Sequence, residues 1–214
     1  MGSIVFGVDF DNTIAGYDTI FHQAAFERGL IGEDVTRSKD SVRDAVRLSS
    51  FGETEWQKLQ ALVYGPRMSE ATPNDGVLSF IKECGLRDVP VFVISHKTEF
   101  ANLDETGTNL REAALNWLDS AGFFDAGTGL TTDRVYFENT RMEKLARIEA
   151  LGCTHFVDDL LETLQEKSFP SGVEKILYAP DGRSDLMTGG STIGSWSEAV
   201  ALLSPVAGSP SRSN

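Results

Sequence analysis

Two pairs of aspartates follow short apolar segments of the sequence. Asp9 and Asp11 come at the end of the apolar segment that starts at Ile4. Asp158 and Asp159 directly follow a second apolar segment. Because side chains alternate along a strand, Asp9 and Asp11 can lie on the same side of it, where unpaired carboxylates repel unless a cation or proton lies between them. Clustered carboxylates suit Mg²⁺, which binds one or two of them together with a substrate phosphate. The pattern therefore predicts a magnesium site.

A hydroxyl and an ammonium group complement these acids. Ser95 ends the apolar segment that starts at Val91, and Lys144 lies in the first turn of a segment with helical periodicity. A site made only of acids would repel an anionic substrate, whereas a hydroxyl and an ammonium can bind phosphoryl oxygens. Together these groups supply what phosphoryl transfer requires. Arg141 lies in the same helical turn; residue type favours Lys144 as the phosphate ligand, and geometry must decide between them.

Each motif also has a purely structural interpretation when it is taken alone. The segment 11–13 suits a polar turn, and Lys144 suits a solvated helix face. His96 and Lys97 directly follow Ser95, where they either contact substrate or face solvent. The order in which all the motifs occur along the chain favours the functional interpretation.

The elements that must position these residues alternate between strand and helix. Apolar segments predict strands at 4–10, 91–94, 134–137, 154–157 and 175–178, and segments with helical periodicity separate them. This alternation is typical of an α/β fold with a doubly wound (Rossmann-like) parallel sheet covered on both faces. Ligands of such sheets bind at the carboxyl ends of the strands. The acids and Ser95 are therefore expected to converge at one edge of the sheet.

The segment 17–70 is too long for a simple crossover and has helical periodicity, which predicts a small helical subdomain inserted after strand 1. Directly after it, Thr72, a proline at 73 and an acid at 75 predict the start of a helix. Thr140 and Glu143 predict a capping box. The Gly/Ser/Pro-rich tail at 204–214 is expected to be flexible.

Composition limits the classes of function. The 214 residues and 41% apolar content suit one folded domain with a small appendage. A net charge of −13 disfavours nucleic acid and anionic membrane surfaces as partners. Two cysteines and three scattered histidines predict neither a disulfide framework nor a zinc site. The first residues lack the basic region of a signal peptide and no segment is long enough to span a membrane, so a cytoplasmic location is expected.

Taken in chain order, the motifs resemble those of a known family. Asp-Phe-Asp-Asn-Thr at 9–13, Ser95, Lys144 and Phe-Val-Asp-Asp at 156–159 are similar to the four motifs of the haloacid dehalogenase-like (HAD) superfamily. The resemblance covers residues 3–16 and 72–180, and the inserted helices look like a cap of the C1 type. It implies an α/β core at 1–16 and 71–203, a helical cap at 17–70 and a flexible tail at 204–214.

The resemblance also implies a role for each motif residue. Asp9 would be the nucleophile that forms an aspartyl-phosphate, and Asp11 the general acid and base. Ser95 and Lys144 would bind the phosphoryl group. The implied Mg²⁺ ligands are Asp9, the main-chain carbonyl of Asp11, and Asp158, with Asp159 as a further or outer ligand.

Asp11 distinguishes two branches of this superfamily, because the dehalogenases lack the second aspartate of the first motif. The resemblance therefore implies a Mg²⁺-dependent phosphatase that hydrolyses a small soluble phosphomonoester, with a small phosphorylated metabolite as its partner. A phosphotransferase or phosphomutase using the same intermediate is the alternative within enzymology. A non-catalytic phospho-acceptor or binding module is the alternative outside it, although a receiver-like module would have an aspartate where this chain has Ser95.

The sequence leaves the substrate and the oligomeric state open. Specificity is expected to lie in the inserted helices and in the segment 96–109. Basic side chains of the insertion are candidate substrate contacts, although a solvated helix face explains them more simply. They are Arg37, Lys39, Arg43, Arg47 and Arg67.

Overall fold

The computed structural model describes residues 3–104, 106–182 and 189–203, so the tail predicted for 204–214 lies outside the described part of the chain. Its strands are β1 (Phe6–Val8), β2 (Ala15–Gly16), β3 (Thr72–Pro73), β4 (Val91–His96), β5 (Val135–Glu138), β6 (His155–Asp158), β7 (Glu174–Tyr178) and β8 (Ser191–Ile193). Six of them form a parallel sheet in the order β5-β4-β1-β6-β7-β8, while β2 and β3 pair antiparallel.

The order of the sheet places β1 at its topological switch point. When its six strands are numbered along the chain, the spatial order becomes 3-2-1-4-5-6, which is the order of a doubly wound sheet. Phe6 pairs with Val91 of β4 on one side and with His155 of β6 on the other. The predicted fold class is thus confirmed, and the crevice that binds ligands in such sheets opens beyond the end of β1.

Helices cover both faces of this sheet. They are α1 (Asp18–Glu27), α2 (Lys39–Leu48), α3 (Gly52–Tyr64), α4 (Val77–Leu86), α5 (Leu110–Ser120), α6 (Arg141–Ala150), α7 (Leu161–Leu164) and α8 (Trp196–Ala201). Consecutive residues of β4 belong to two separate apolar clusters: the cluster of Val93 includes residues of α4, α5 and α8, whereas that of Ile94 includes residues of α6 and α7. None of the helices in the described ranges is long and apolar enough to cross a membrane.

Three of the helices, α1 to α3, lie between the paired strands β2 and β3. They pack through aromatic rings: Phe21 stacks on Trp56 at 5.0 Å and meets Tyr64 edge-on at 5.4 Å between ring centroids. The Asn74 amide donates to the main-chain oxygens of Asn12 at 2.7 Å and Thr13 at 3.0 Å. These bonds join the segment that follows the insertion to the loop that follows β1.

The helix start predicted at Thr72 is wrong. Thr72 and Pro73 form β3, and α4 begins only at Val77, after Gly76 has adopted a left-handed φ of 82°. Pairing with β2 and the Asn74 bonds hold this segment extended, which overrides its local capping pattern. The strand β8 was not predicted, because its short sequence of Ser, Thr and Ile is mostly polar.

The capping box predicted at Thr140 is confirmed. The Thr140 hydroxyl accepts a hydrogen bond from the Glu143 amide at 3.2 Å, and the Glu143 carboxylate accepts one from the Thr140 amide at 2.9 Å. This reciprocal pair satisfies two of the amides that a helix leaves free at its start. The first turn of α6, which carries Arg141 and Lys144, is fixed in this way.

The central strand β1 has no free space for a side chain at Gly7. A Cβ atom there would lie 2.6 Å from Cδ2 of the buried Phe156 ring and 3.1 Å from the Cys153 sulfur. We expect Gly7→Ala to lower the free energy of unfolding by about 1–3 kcal/mol through overpacking, as measured by urea denaturation followed by circular dichroism.

Gly194→Ala is the matched control. Its added Cβ would have its nearest neighbour at 3.6 Å, an ordinary contact distance. Both substitutions reduce the entropy of the unfolded chain similarly, so that effect cancels in the comparison. We expect Gly194→Ala to change stability by less than about 0.5 kcal/mol; equal stabilities of the two variants would contradict the packing argument.

Candidate active site

The carboxyl ends of β1, β4 and β6 bring Asp9, Ser95 and Asp158 together with Lys144 of α6. The Ser95 hydroxyl donates to Asp9 Oδ1 at 2.8 Å. The Lys144 ammonium donates to the same oxygen at 2.6 Å and to Asp158 Oδ2 at 2.7 Å. All four side chains are buried. Residues far apart in the chain therefore form one hydrogen-bonded group at the switch point of the sheet.

Lys144 is the buried cation of this group. Burial alone would lower the pKa of its ammonium, but the adjacent charges of Asp158 and Asp9 outweigh burial and raise that pKa above the usual value. The Arg141 side chain, by contrast, is 42% exposed and pairs with Glu166 at 3.1 Å. Lys144, and not Arg141, thus contacts the Asp9 carboxylate, while Arg141 lies at the edge of the cavity.

Asp159 joins the group through Thr13. Its amide donates to the Thr13 hydroxyl at 3.1 Å, and that hydroxyl donates to Asp159 Oδ1 at 3.4 Å. Burial, and then the charges of Asp158 and Asp9, raise the pKa of Asp159. Burial also raises the pKa of Asp158, although Lys144 opposes the shift. The two adjacent carboxyl groups thus disfavour being charged together unless a cation neutralises them.

The donor set fits a metal ion of the kind predicted. Asp9, Asp158 and Asp159 each offer one carboxylate oxygen, and these oxygens all lie within 4.8 Å of one another. Buried carboxylate oxygens are hard ligands that suit Mg²⁺. The side chain of Asp11 does not belong to this set, so the predicted metal role of Asp11 depends on its main-chain carbonyl.

The Asp11 carboxylate is held by Tyr17, to which the sequence assigned no role, and by Lys97, for which the sequence left substrate contact and solvent exposure as alternatives. The Tyr17 hydroxyl donates to Asp11 Oδ1 at 2.6 Å, and the Lys97 ammonium lies 3.0 Å from Oδ2. Lys97 is buried, whereas His96 is exposed and its Nε2 lies 3.0 Å from the Asn139 main-chain oxygen. The alternation that places Asp9 and Asp11 on one side also places Ser95 and Lys97 together, and this signal could have identified Lys97 as a neighbour of the acids.

A small cavity opens in front of the acids. Its volume is about 190 Å³. Asp9, Asp11, Ser95, Lys144 and Asp159 line it from the sheet side, and Lys39 and Tyr64 line it from the inserted helices. A larger groove of about 490 Å³ lies away from the acids, between the end of α3 and α5. Glu112 is the one ionisable side chain among the described residues that line that groove.

Comparisons with known proteins give similar folds but no similar sequence. No protein-family model matches the chain, and no curated protein matches it. A HAD family hydrolase from Deinococcus radiodurans, solved with bound phosphate and sodium, is 15% identical, with a TM-score of 0.60 over 94% of this chain and 95% of its own. A putative HAD-hydrolase from Bacillus subtilis, YfnB, solved with magnesium, is 10% identical, with a TM-score of 0.61 over 95% and 99%.

A haloacid dehalogenase-like hydrolase from Streptococcus pneumoniae adds a third match, 14% identical with a TM-score of 0.58 over 94% of this chain and 99% of its own. The chain has the haloacid dehalogenase-like fold. In this fold the four motif segments noted in the sequence lie at the ends of β1, β4 and β6 and in the first turn of α6. The helices between β2 and β3 lie within the segment predicted as the cap, whose C1 type stays a prediction.

The raised pKa of Asp159 predicts how the free energy of unfolding depends on pH when no metal is bound. An acid whose pKa is raised on folding keeps its proton to a higher pH in the folded state than in the unfolded chain. The free energy of unfolding therefore falls as pH rises from about 4, the unfolded value, through the folded value. In the presence of a chelator, we expect the free energy of unfolding to fall between about pH 5 and pH 8 by at least about 1 kcal/mol more in the parent than in Asp159→Asn.

Urea denaturation of both proteins at each pH measures this difference, and titrating groups that do not interact with Asp159 cancel between them. Saturating Mg²⁺ binds the deprotonated carboxylates, so it should reduce the pH dependence of the parent. Parallel curves for parent and variant in the chelator would show that Asp159 does not hold its proton more tightly in the folded state.

Proposed function

We propose that this protein is a Mg²⁺-dependent phosphatase that hydrolyses a small phosphomonoester through an aspartyl-phosphate on Asp9. The observation that carries the proposal is the placement of Asp9 at the floor of the cavity. Among the described residues, Ser95 and Lys144 both donate to its Oδ1, and none donates to its Oδ2. One oxygen is thus held in position while the other is free to attack. Similar folds in HAD hydrolases support a hydrolase.

In the first step, a carboxylate oxygen of Asp9 attacks phosphorus, and the bond from phosphorus to the ester oxygen breaks. The leaving alcohol takes a proton from the Asp11 carboxyl group. Ser95 and Lys144 face the same cavity and donate to the phosphoryl oxygens, which carry the charge of the transition state.

In the second step, Asp11 takes a proton from a water molecule, and the water oxygen attacks phosphorus. The bond from phosphorus to Asp9 breaks, which releases inorganic phosphate and restores both carboxyl groups to their starting forms. Lys97 and Tyr17 bind the Asp11 carboxylate and so fix its position beside Asp9 during both steps.

Mg²⁺ would be held by Asp9, Asp158 and the main-chain carbonyl of Asp11, with Asp159 as a further or outer ligand. When bound, it supplies the positive charge that lets an anionic phosphate approach the acidic site. The YfnB structure contains magnesium, and the Deinococcus radiodurans structure contains phosphate and sodium. Both support a site for a cation in this fold, and the Deinococcus radiodurans structure also supports a site for a phosphate group.

The volume of the cavity and the net charge of the protein support a small soluble substrate. A cavity of about 190 Å³ is below the range of about 300–1,000 Å³ that is usual for drug-sized ligands. The net charge of −13 disfavours a nucleic-acid chain or an anionic membrane as partner. The proposed substrate is therefore a phosphorylated metabolite of few atoms.

Asp9→Asn tests the nucleophile. An amide of nearly the same shape does not attack phosphorus, so kcat for phenyl phosphate with Mg²⁺ should fall by about 10³-fold or more. The control is Asp119→Asn, an exposed acid on α5 that should keep the parent rate. Acid-quenched parent should gain the mass of one PO₃ group, and Asp9→Asn should not. Equal rates for the parent and Asp9→Asn would exclude this mechanism.

Release of phosphate without an added acceptor distinguishes the phosphatase from a phosphotransferase or phosphomutase. A parent that gains the PO₃ group but releases phosphate only when an alcohol is added would be a transferase. Removing Mg²⁺ with a chelator should abolish turnover and adding it back should restore it. Turnover that persists unchanged in the chelator would contradict the metal role.

Lys144→Met and Arg141→Met compare two cations of one helical turn. Lys144 contacts Asp9 directly, whereas Arg141 pairs with Glu166 at the cavity edge. We expect Lys144→Met to lower kcat/KM for phenyl phosphate by about 10²-fold or more, and Arg141→Met by less than tenfold. Circular dichroism should verify that both variants fold. The opposite ranking would identify Arg141 as the phosphate ligand.

A further inference from the structure

One basic side chain of the inserted helices differs from the others in where it points. Lys39, the first residue of α2, lines the cavity above the acids. The arginines of this segment that form ion pairs bind carboxylates of the insertion itself: Arg43 binds Asp40 and Asp44, Arg47 binds Glu53, and Arg67 binds Glu27 and Glu70. Arg37 is exposed and does not line the cavity.

The surroundings of Lys39 hold its ammonium over the cavity. Its main-chain amide donates to Asp18 Oδ1 at 2.8 Å. The ammonium lies 5.9 Å from the Phe21 ring centroid and 5.6 Å from that of Tyr64. Burial would lower the pKa of this ammonium, but the Tyr64 hydroxyl and the more distant Asp159 and Asp11 outweigh burial and raise it. Lys39 is therefore charged at neutral pH.

Lys39 has no counter-ion among the described residues. No described carboxylate lies within 4.0 Å of its ammonium, whereas the other cations of the cavity are all paired. Lys144 binds Asp9 and Asp158, and Arg141 binds Glu166. A partly buried ammonium that faces a cavity without an ion pair suits an anion bound in that cavity.

We propose that Lys39, together with the Tyr64 hydroxyl, binds a second anionic group of the substrate, a carboxylate on the alcohol that leaves. This inference rests on the proposed function, because it takes the phosphoryl group to lie at Asp9, Ser95 and Lys144. The substrate class is then the phosphate monoester of a short hydroxy acid. The cavity volume of about 190 Å³ favours a compact carboxylate over a second phosphate group.

A matched pair of substrates isolates the carboxylate. The phosphate esters of 3-hydroxypropanoate and of 3-hydroxypropanamide have the same length and differ in one charge. The parent should prefer the acid to the amide in kcat/KM by about tenfold or more, as a charge-assisted hydrogen bond provides. Lys39→Met should reduce this ratio to near one, and Lys39→Arg, which keeps the charge, should retain part of it.

Arg37→Met is the control, since it removes one positive charge from the same segment outside the cavity and should leave the ratio as in the parent. Comparing the ratio of the two kcat/KM values, rather than either value alone, separates recognition of the carboxylate from a general loss of folded enzyme.

An equal ratio in the parent and Lys39→Met would overturn the inference. A parent that hydrolyses phenyl phosphate but shows no preference for the acid would also overturn it and leave the proposed function intact. A parent that hydrolyses none of the three esters would overturn both.

Discussion

The buried ammonium of Lys144, shared between the carboxylates of Asp9 and Asp158, is the interaction on which the rest of the structure depends. Removing charged groups from water costs several kcal/mol per ion, and their attraction offsets this only when the geometry is good. Two strands must therefore end, and one helix must begin, at the same point. The pairing of β1 with β6 aligns the two acids, and the capping box of α6 fixes the first turn that carries the ammonium.

A second layer of polar contacts connects this group to the inserted helices. The Asp11 carboxylate is bound both by Lys97 of the core and by Tyr17, which stands at the start of the insertion. Lys97 in turn lies 4.9 Å from the ring centroid of Tyr64. The cavity is thus lined by acids from the sheet together with cations and the Tyr64 phenol, and Lys97 and Tyr17 bind one of those acids. The inserted helices complete the electrostatics of the site as well as covering it.

Much of the fold and of the acid cluster was predictable from the sequence, because buried parallel strands are continuous apolar segments and the acids follow them directly. Ser95 and Asp158 could be placed for that reason. Thr72 was misassigned because its strand partner lies in β2, far away in the sequence, and a local capping pattern contains no trace of that pairing. Lys39 and Tyr17 could not be singled out for the same reason: their roles depend on how the inserted helices pack against the core, which helical periodicity does not specify.

The antiparallel pairing of β2 with β3 has a consequence for how this chain can change during evolution. The two strands bring the two ends of the insertion side by side. The inserted helices are therefore connected to the sheet and its acids through this short strand pair. The cost of closing a loop grows only slowly with its length. Apart from Tyr17, which binds Asp11, the segment between the two strands can consequently be lengthened, shortened or exchanged without shifting the loop that carries Asp9 and Asp11. Substrate recognition can then diverge quickly while the chemistry stays fixed.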